Sequence, residues 1–234
     1  MNPKIYFTAD LHFGHKNVFK QNVKRIPEVY NYAVNNGYDG DYVMKIIQEN
    51  GDETMELHDS WLVNMWNSQV KKRDRVFILG DFSQYNAEKT LEIIKRLNGS
   101  KTIIYGNHDS TAHKEVFETY FKSREDTMLI HYNKFNKKDG NGEDIAVFLS
   151  HYRHLVWPEK HYGSLHLCGH NHGRNDDFNE ATNDLCVDVG IDGRLAKYKF
   201  VTLHEVYDYF KKKVKDLPFR EYAEKKIEEG TMII

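Results

Sequence analysis

The stretch Lys101-Thr102-Ile103-Ile104-Tyr105-Gly106-Asn107-His108-Asp109 decides how this chain is read. After its leading lysine the first part is β-branched and aromatic, which predicts a buried strand. Gly106-Asn107 then takes the chain out of the sheet through a tight turn. The side chains that follow stand at the strand's carboxyl end, where open α/β sheets place ligands. An amide, an imidazole and a carboxylate fall on successive positions, and each can ligate a metal or move a proton. One such cluster is explained by turn chemistry alone, because Asn and Asp favour turns through local hydrogen bonds.

The same pattern recurs outward from this stretch. Residues 4–9 predict a strand that ends in Asp10-Leu11-His12. In extended chain, residues two apart point the same way, so Asp10 and His12 are expected to converge while Leu11 turns to the core. A strand over Arg75–Leu79 ends in Gly80-Asp81-Phe82-Ser83. A strand over 145–149 ends in Ser150-His151, and one over Leu165–Cys168 ends in Gly169-His170-Asn171-His172. Polar clusters at five strand ends, all of metal-ligand types, are not ordinary turn chemistry.

The rest of the chain reads as one domain over 1–234. A helix is expected after Thr54 as N-cap, with Leu57, Trp61, Leu62, Met65 and Trp66 as core packing rather than a cofactor box. Helices are also expected over 87–97, over 112–121 and, amphipathic, over 218–230 with Phe219, Tyr222 and Ile227. Strands 127–131 and 145–149 are expected to be joined by a hairpin-like loop through 137–142, with later strands at 187–189 and 200–203. Residues 27–53 are rich in Tyr, Asn, Asp and Gly, with one short helical pattern near 42–48. They read as an insertion, with a lid or partner surface set against a surface elaboration at even weight.

Composition sets bounds on function. A hydrophobic content of 40% and a charged content of 29% are those of an ordinary globular protein. A net charge of -2 leaves no global basic footprint for nucleic acid, although a local groove stays open. Two cysteines, Cys168 and Cys186, make no disulfide framework, and a reducing, cytoplasmic setting is the simpler expectation. No secretory apolar segment opens the sequence, and no run approaches the roughly 20 apolar residues of a membrane span.

The donor set at the strand ends holds two Asp, one Asn and at least four His, without Cys. Such mixed nitrogen and oxygen sites suit Mn, Fe(II), Zn, Co or Ni rather than Ca or Mg. There are too many ligands for one tetrahedral zinc and about enough for two ions sharing a carboxylate. Asp81 is the natural bridge, because a carboxylate has two oxygens. Two metals roughly 3.5–4 Å apart are a standard device for phosphoester hydrolysis.

With these motifs in place, the chain resembles the calcineurin-like metallophosphoesterases. The resemblance rests on DxH (Asp10, His12), GD (Gly80, Asp81), GNHD (Gly106 to Asp109), a lone His (His151) and GHxH (Gly169, His170, His172), in that order. It implies an α/β fold of two face-to-face mixed β-sheets flanked by helices, a four-layer αββα sandwich. It implies one metal on Asp10, His12, Asp81 and His172, and another on Asp81, Asn107, His151 and His170. The cofactors would be two divalent ions, Mn²⁺ foremost, with Fe²⁺, Zn²⁺, Co²⁺ or Ni²⁺ as alternatives. A hydroxide bridging the metals would be the nucleophile, His108 would protonate the leaving oxygen, and Asp109 would hold the His108 ring.

Phe82-Ser83 follows Asp81 where protein phosphatases of that family carry an Asp-Arg pair, and Asp109 stands where they have Glu. Both departures argue against a phosphoprotein substrate. The expected function is hydrolysis of phosphodiesters or small phosphomonoesters, with a nuclease as the alternative and a non-catalytic binding module as the alternative of another class. The expected partner is a small-molecule or nucleotide phosphoester, with nucleic acid open and no membrane. His15 and Asn17 are weaker candidates for lining the pocket. Arg153 and His154 are read as an exposed loop rather than a phosphate clamp. His58, His113, His131, His161, His166 and His204 are read as ordinary structural or surface histidines, and Lys71 to Arg73 and Lys211 to Lys213 as solvated faces.

Overall fold

A computed structural model describes residues 3–109, 113–121, 124–135 and 142–234. The chain opens with β1 (Ile5–Thr8) and α1 (Val18–Gln21). A 3₁₀ turn at Val23–Arg25 runs into α2 (Ile26–Asn35), followed by α3 (Gly40–Glu49) and α4 (Asp52–Gln69). Then come β2 (Arg75–Leu79), α5 (Ala87–Arg96), β3 (Ser100–Ile104), α6 (Lys114–Tyr120) and β4 (Arg124–Glu125). The second half holds β5 (Thr127–Phe135), β6 (Glu143–Ser150), β7 (Leu165–Cys168), α7 (Asp176–Ala181) and β8 (Cys186–Asp188). It closes with β9 (Val201–Thr202), α8 (Leu203–Lys213) and α9 (Phe219–Glu228).

The strands form two mixed sheets, ordered β4-β3-β2-β1-β9 and β5-β6-β7-β8. In the first sheet β1 to β4 are parallel and β9 runs antiparallel to β1. In the second, β6, β7 and β8 are parallel and β5 is antiparallel to β6. Period-two alternation splits the first sheet's side chains between two cores. Tyr6, Val76, Ile78 and Ile103 pack with α2, α3 and α4. Their neighbours Phe7, Phe77, Leu79 and Ile104 share a second core with Val147, Leu149, Leu165, Leu167 and Val187 of the other sheet. Burial of both faces is why these strands read as continuous apolar runs. The expected Met/Trp stripe is core: Leu57, Trp61, Leu62, Met65 and Trp66 are all buried. Among the described residues no helix is long and apolar enough to cross a membrane.

Several expectations need correction. Thr54 lies inside α4 instead of capping it, Gly51 takes the cap position, and the Thr54 hydroxyl donates to the Ile46 carbonyl. The 27–53 segment holds two full helices, and Val29, Ala33, Val43, Ile46 and Ile47 are buried in the same core as α4. Their buried faces make both helices part of the core. Replacing 27–53 by a short Gly/Ser loop is therefore expected to unfold the chain, with circular dichroism losing its cooperative melt. A folded chain with unchanged melting would contradict this packing role. The Lys211 to Lys213 run is not a uniformly solvated face. Lys211 pairs with Glu143 at 2.6 Å, and Lys213 donates to the Asn179 and Asp184 carbonyls at 2.6 and 2.7 Å. Of the expected 137–142 loop, only residue 142 lies within the described residues.

Candidate metal centre

The exits of β1 and β2 are zipped to each other. The Asp10 N–H donates to the Gly80 carbonyl at 3.1 Å and the His12 N–H to the Asp81 carbonyl at 2.9 Å. Asp10 and His12 do converge, but not through extended chain: both are left-handed, at φ 59° and 55°. Asp81, His170 and His172 share this conformation at φ 56°, 70° and 51°. Non-glycine residues held there are costly, and they cluster at functional sites. Leu11 is buried, as expected. Gly80 has φ +88°, and a Cβ on it would run into the His151 imidazole and the Gly106 backbone. The GD and GN glycines thus let two strand exits and His151 close on one point.

Six of the expected ligands fall into two groups, Asp10/His12/His172 and Asp81/His151/His170. Within each, one ligand atom per residue lies within 4.8 Å of the others. Asp81 stands between the groups. Its Oδ2 is 3.6 Å from His12 Nε2 and 3.5 Å from His151 Nε2, while its Oδ1 accepts the His108 backbone N–H at 2.9 Å. The seventh, Asn107, places Oδ1 3.0 Å from His151 Nε2.

The protons in these contacts can be assigned. His151 Nδ1 lies 2.8 Å from the Leu79 carbonyl, which can only accept, so Nδ1 carries the proton. The lone pair on Nε2 then faces Asn107 Oδ1 and Asp81 Oδ2. Three acceptors converge there, a donor set that could hold a cation. His172 Nδ1 donates to Asp192 Oδ2 at 2.6 Å, which leaves its Nε2 as a lone pair 3.3 Å from His12 Nε2. Buried His12 Nδ1 has no hydrogen-bond partner.

Charge in the cluster follows from burial. Burial lowers the pKa of His12, His151 and His170, so these imidazoles are neutral at pH 7, the form that could ligate a metal. Burial raises Asp10 well above the usual carboxylate range, helped by Asp188 and Asp81 nearby. Burial also pushes Asp188 up to about 6, although the Gly173 and Gly190 N–H groups oppose this. Crowded acids with neutral imidazoles around them would be balanced by a bound cation, or by protonation without one.

The supporting residues escaped the sequence reading. Asp192 orients His172 and is itself gripped by Arg25, with Nε to Oδ1 at 2.8 Å and a second guanidinium nitrogen to Oδ2 at 2.6 Å. Burial works against the Asp192 charge, but Arg25 and His172 outweigh it and hold the carboxyl well below its usual range. Tyr152, 47% exposed, lays its ring against His151 and His170 and points its hydroxyl at Asn107 Oδ1, 3.3 Å away. His15 is buried beside His12, with ring centroids 5.4 Å apart, and burial lowers it to about 4. Asn17 instead faces Asn50 of the helical segment.

Arg153 is neither exposed nor free for phosphate: it pairs with Asp184 at 2.6 Å and bonds Asn179. A third group, His166/Cys168/Cys186, has different chemistry. Its imidazole Nε2 already accepts the His154 N–H at 3.0 Å, and the two sulfurs lie 3.9 Å apart.

His108 is exposed at the mouth, its ring centroid 5.3 Å from that of His12. Asp109 does not hold that ring. Its carboxylate accepts the backbone N–H groups of Gly106 and Asp81, each at 2.8 Å, and of Phe82 at 2.9 Å. It pins two strand exits together, where short turn backbone would otherwise leave buried donors unpaired. Asp109→Asn is expected to cost roughly 1–3 kcal/mol of stability, because one amide oxygen cannot serve all three donors. Activity should fall equally on all substrates. A loss confined to substrates with poor leaving groups would restore the ring-holding role.

No family model matches the chain. It is 28% identical over 224 residues to the gene 66 protein of Mycobacterium phage L5, covering 87% of this chain and 92% of that one. It is 29% identical over 130 residues to an uncharacterised protein of Methanocaldococcus jannaschii, covering 55% of this chain and 58% of that one. A crystal structure of a protein of unknown function from Aquifex aeolicus superposes with a TM-score of 0.55 at 23% identity, over 89% of this chain and all of that one. That likeness shows the α/β fold.

Proposed function

We propose that this chain is a metal-dependent phosphoesterase of the calcineurin-like type, acting on phosphodiesters or small phosphomonoesters. The observation that carries the reading is the position of Asp81 Oδ2, within 3.6 Å of one imidazole from each of two three-residue ligand groups. Asp10, His12, Asp81 and His172 would hold one divalent ion, and Asp81, Asn107, His151 and His170 the other. Mn²⁺ is the first choice for such a nitrogen and oxygen set. Two such ions supply an activated water and neutralise charge on the phosphoryl oxygens. The shared core of the two sheets, with helices packed on the far face of the first, supports the four-layer αββα arrangement.

The chain's own residues supply the rest. His108 stands at the mouth, where an imidazole can give a proton to the departing oxygen. Its backbone is tied to Asp81, so the proton donor and the shared carboxylate move as one unit. Tyr152 and Asn107 flank the opening, where their polar atoms can meet a phosphoester.

The test is a panel of mono- and diesters assayed with Mn²⁺ and after chelation. Turnover that appears with Mn²⁺ and vanishes on chelation is expected. A folded chain that binds metal and hydrolyses no ester would leave the binding-module reading in its place.

A further inference from the structure

The strand-end clusters leave a second set of buried polar groups unused. His58 and Asp59 lie on α4, Arg25 ends the 3₁₀ turn before α2, and Asp192 follows β8. Arg25 and His58 are fully buried, and the Asp59 and Asp192 side chains are 6% and 3% exposed. Asp59 Oδ1 is 3.3 Å from His58 Nδ1, and His58 Nε2 is 3.1 Å from an Arg25 guanidinium nitrogen. Arg25 grips both oxygens of Asp192, and Asp192 Oδ2 meets His172 Nδ1 at 2.6 Å. Arg25 also donates to the carbonyls of Leu11, at 3.0 Å, and Asp10, at 2.5 Å, in the motif that carries His12.

A guanidinium only donates. His58 Nε2 must therefore accept, so His58 Nδ1 carries its proton and donates to Asp59. Asp192 takes two guanidinium protons and, as a carboxylate, can only accept from His172. That forces the His172 proton onto Nδ1 and leaves Nε2 as a lone pair, facing His12 Nε2 at 3.3 Å. The guanidinium sets the His58 tautomer on one side, and the carboxylate it grips sets that of His172 on the other.

We propose that Asp59, His58, Arg25 and Asp192 form a buried relay that fixes the tautomer and orientation of His172, making Arg25 and Asp192 positioning residues for one of the two metals. The proposal of a metal role rests on the dinuclear reading above; the tautomer does not. Carboxylates behind a ligating imidazole are typically worth about 10- to 100-fold in metal affinity. Arg25 is the N-cap residue of α2, so the network ties that helix to the site.

Two measurements on the full chain test it. Long-range ¹H–¹⁵N correlation spectra of the metal-free protein, with His172 assigned through His172→Gln, should show its proton on Nδ1. Mn²⁺ titration should give two sites in the wild type. In Asp192→Asn and Arg25→Lys, one site should weaken about 10- to 100-fold while the other is kept. Arg25→Lys retains the charge but loses the fork, so it separates geometry from charge.

If Arg25→Lys does not fold, the near-isosteric Asp192→Asn decides the outcome alone. A proton on His172 Nε2, or wild-type Mn²⁺ affinity at both sites in folded Asp192→Asn, overturns the relay. A purely structural network would lower the melting temperature of both variants and leave Mn²⁺ affinity at both sites unchanged, which overturns the positioning role. A wild type that binds no Mn²⁺ removes the dinuclear reading and the metal role, and the tautomer spectrum still decides the proton assignment.

Discussion

Asp81→Asn is expected to bind fewer than two metal ions per chain and to lose turnover more severely than a change at any other ligand. The reason is geometric. Among the described residues, Asp81 Oδ2 is the one carboxylate oxygen lying within 3.6 Å of an imidazole from both ligand groups. An amide there keeps a carbonyl oxygen for the His108 N–H but removes the negative charge two cations would share. Metal ions contribute several kcal/mol of transition-state stabilisation, so the loss should be roughly 10³-fold or more. His12→Asn, by contrast, touches one group and should leave the other ion bound. Metal per chain and turnover are measured together for both variants. Two ions and near-normal turnover in Asp81→Asn would remove the bridge.

His108→Asn should discriminate between substrates. A nitrophenolate leaves readily as an anion, whereas an alkoxide needs a proton in the transition state. The variant is therefore expected to slow an alkyl phosphoester by about 10²- to 10⁴-fold and a nitrophenyl ester far less. Both metals should stay bound, because His108 belongs to neither ligand group. The measurement is turnover across esters graded by leaving-group pKa. A uniform loss would make His108 a phosphate-binding group rather than the proton donor. Asp109→Asn is the control, because its carboxylate serves the Gly106, Asp81 and Phe82 backbone and its effect should not depend on the leaving group.

The strand-end residues were legible because the signal is local: a β-branched run, then a turn, then polar side chains. Arg75–Leu79 and Leu165–Cys168 fall where the pattern puts them. The left-handed backbone of Asp10 and His12 was not legible, since alternation predicts the same convergence from a different conformation. Arg25 and Asp192 lie 167 positions apart, and no periodicity links them. Asp188 and Asp192 did carry a usable signal, because they close a strand end as the other clusters do. Helix α8 carried one too: Thr202 and Glu205 form a capping box, followed by buried Val206 and Phe210. The basic run 211–213 drew the reading toward a solvated face and hid it. The Tyr-rich composition of 27–53 likewise hid the buried Val29, Val43 and Ile47 that make it part of the core.

The central claim is that two ions sit on either side of one carboxylate. Anomalous diffraction at the manganese edge from crystals grown with Mn²⁺ tests it most directly. The account predicts two peaks roughly 3.5–4 Å apart, one against Asp10, His12 and His172 and one against His151, His170 and Asn107, with Asp81 touching both. A single peak, a peak at the His166/Cys168/Cys186 group instead, or none at all would contradict it.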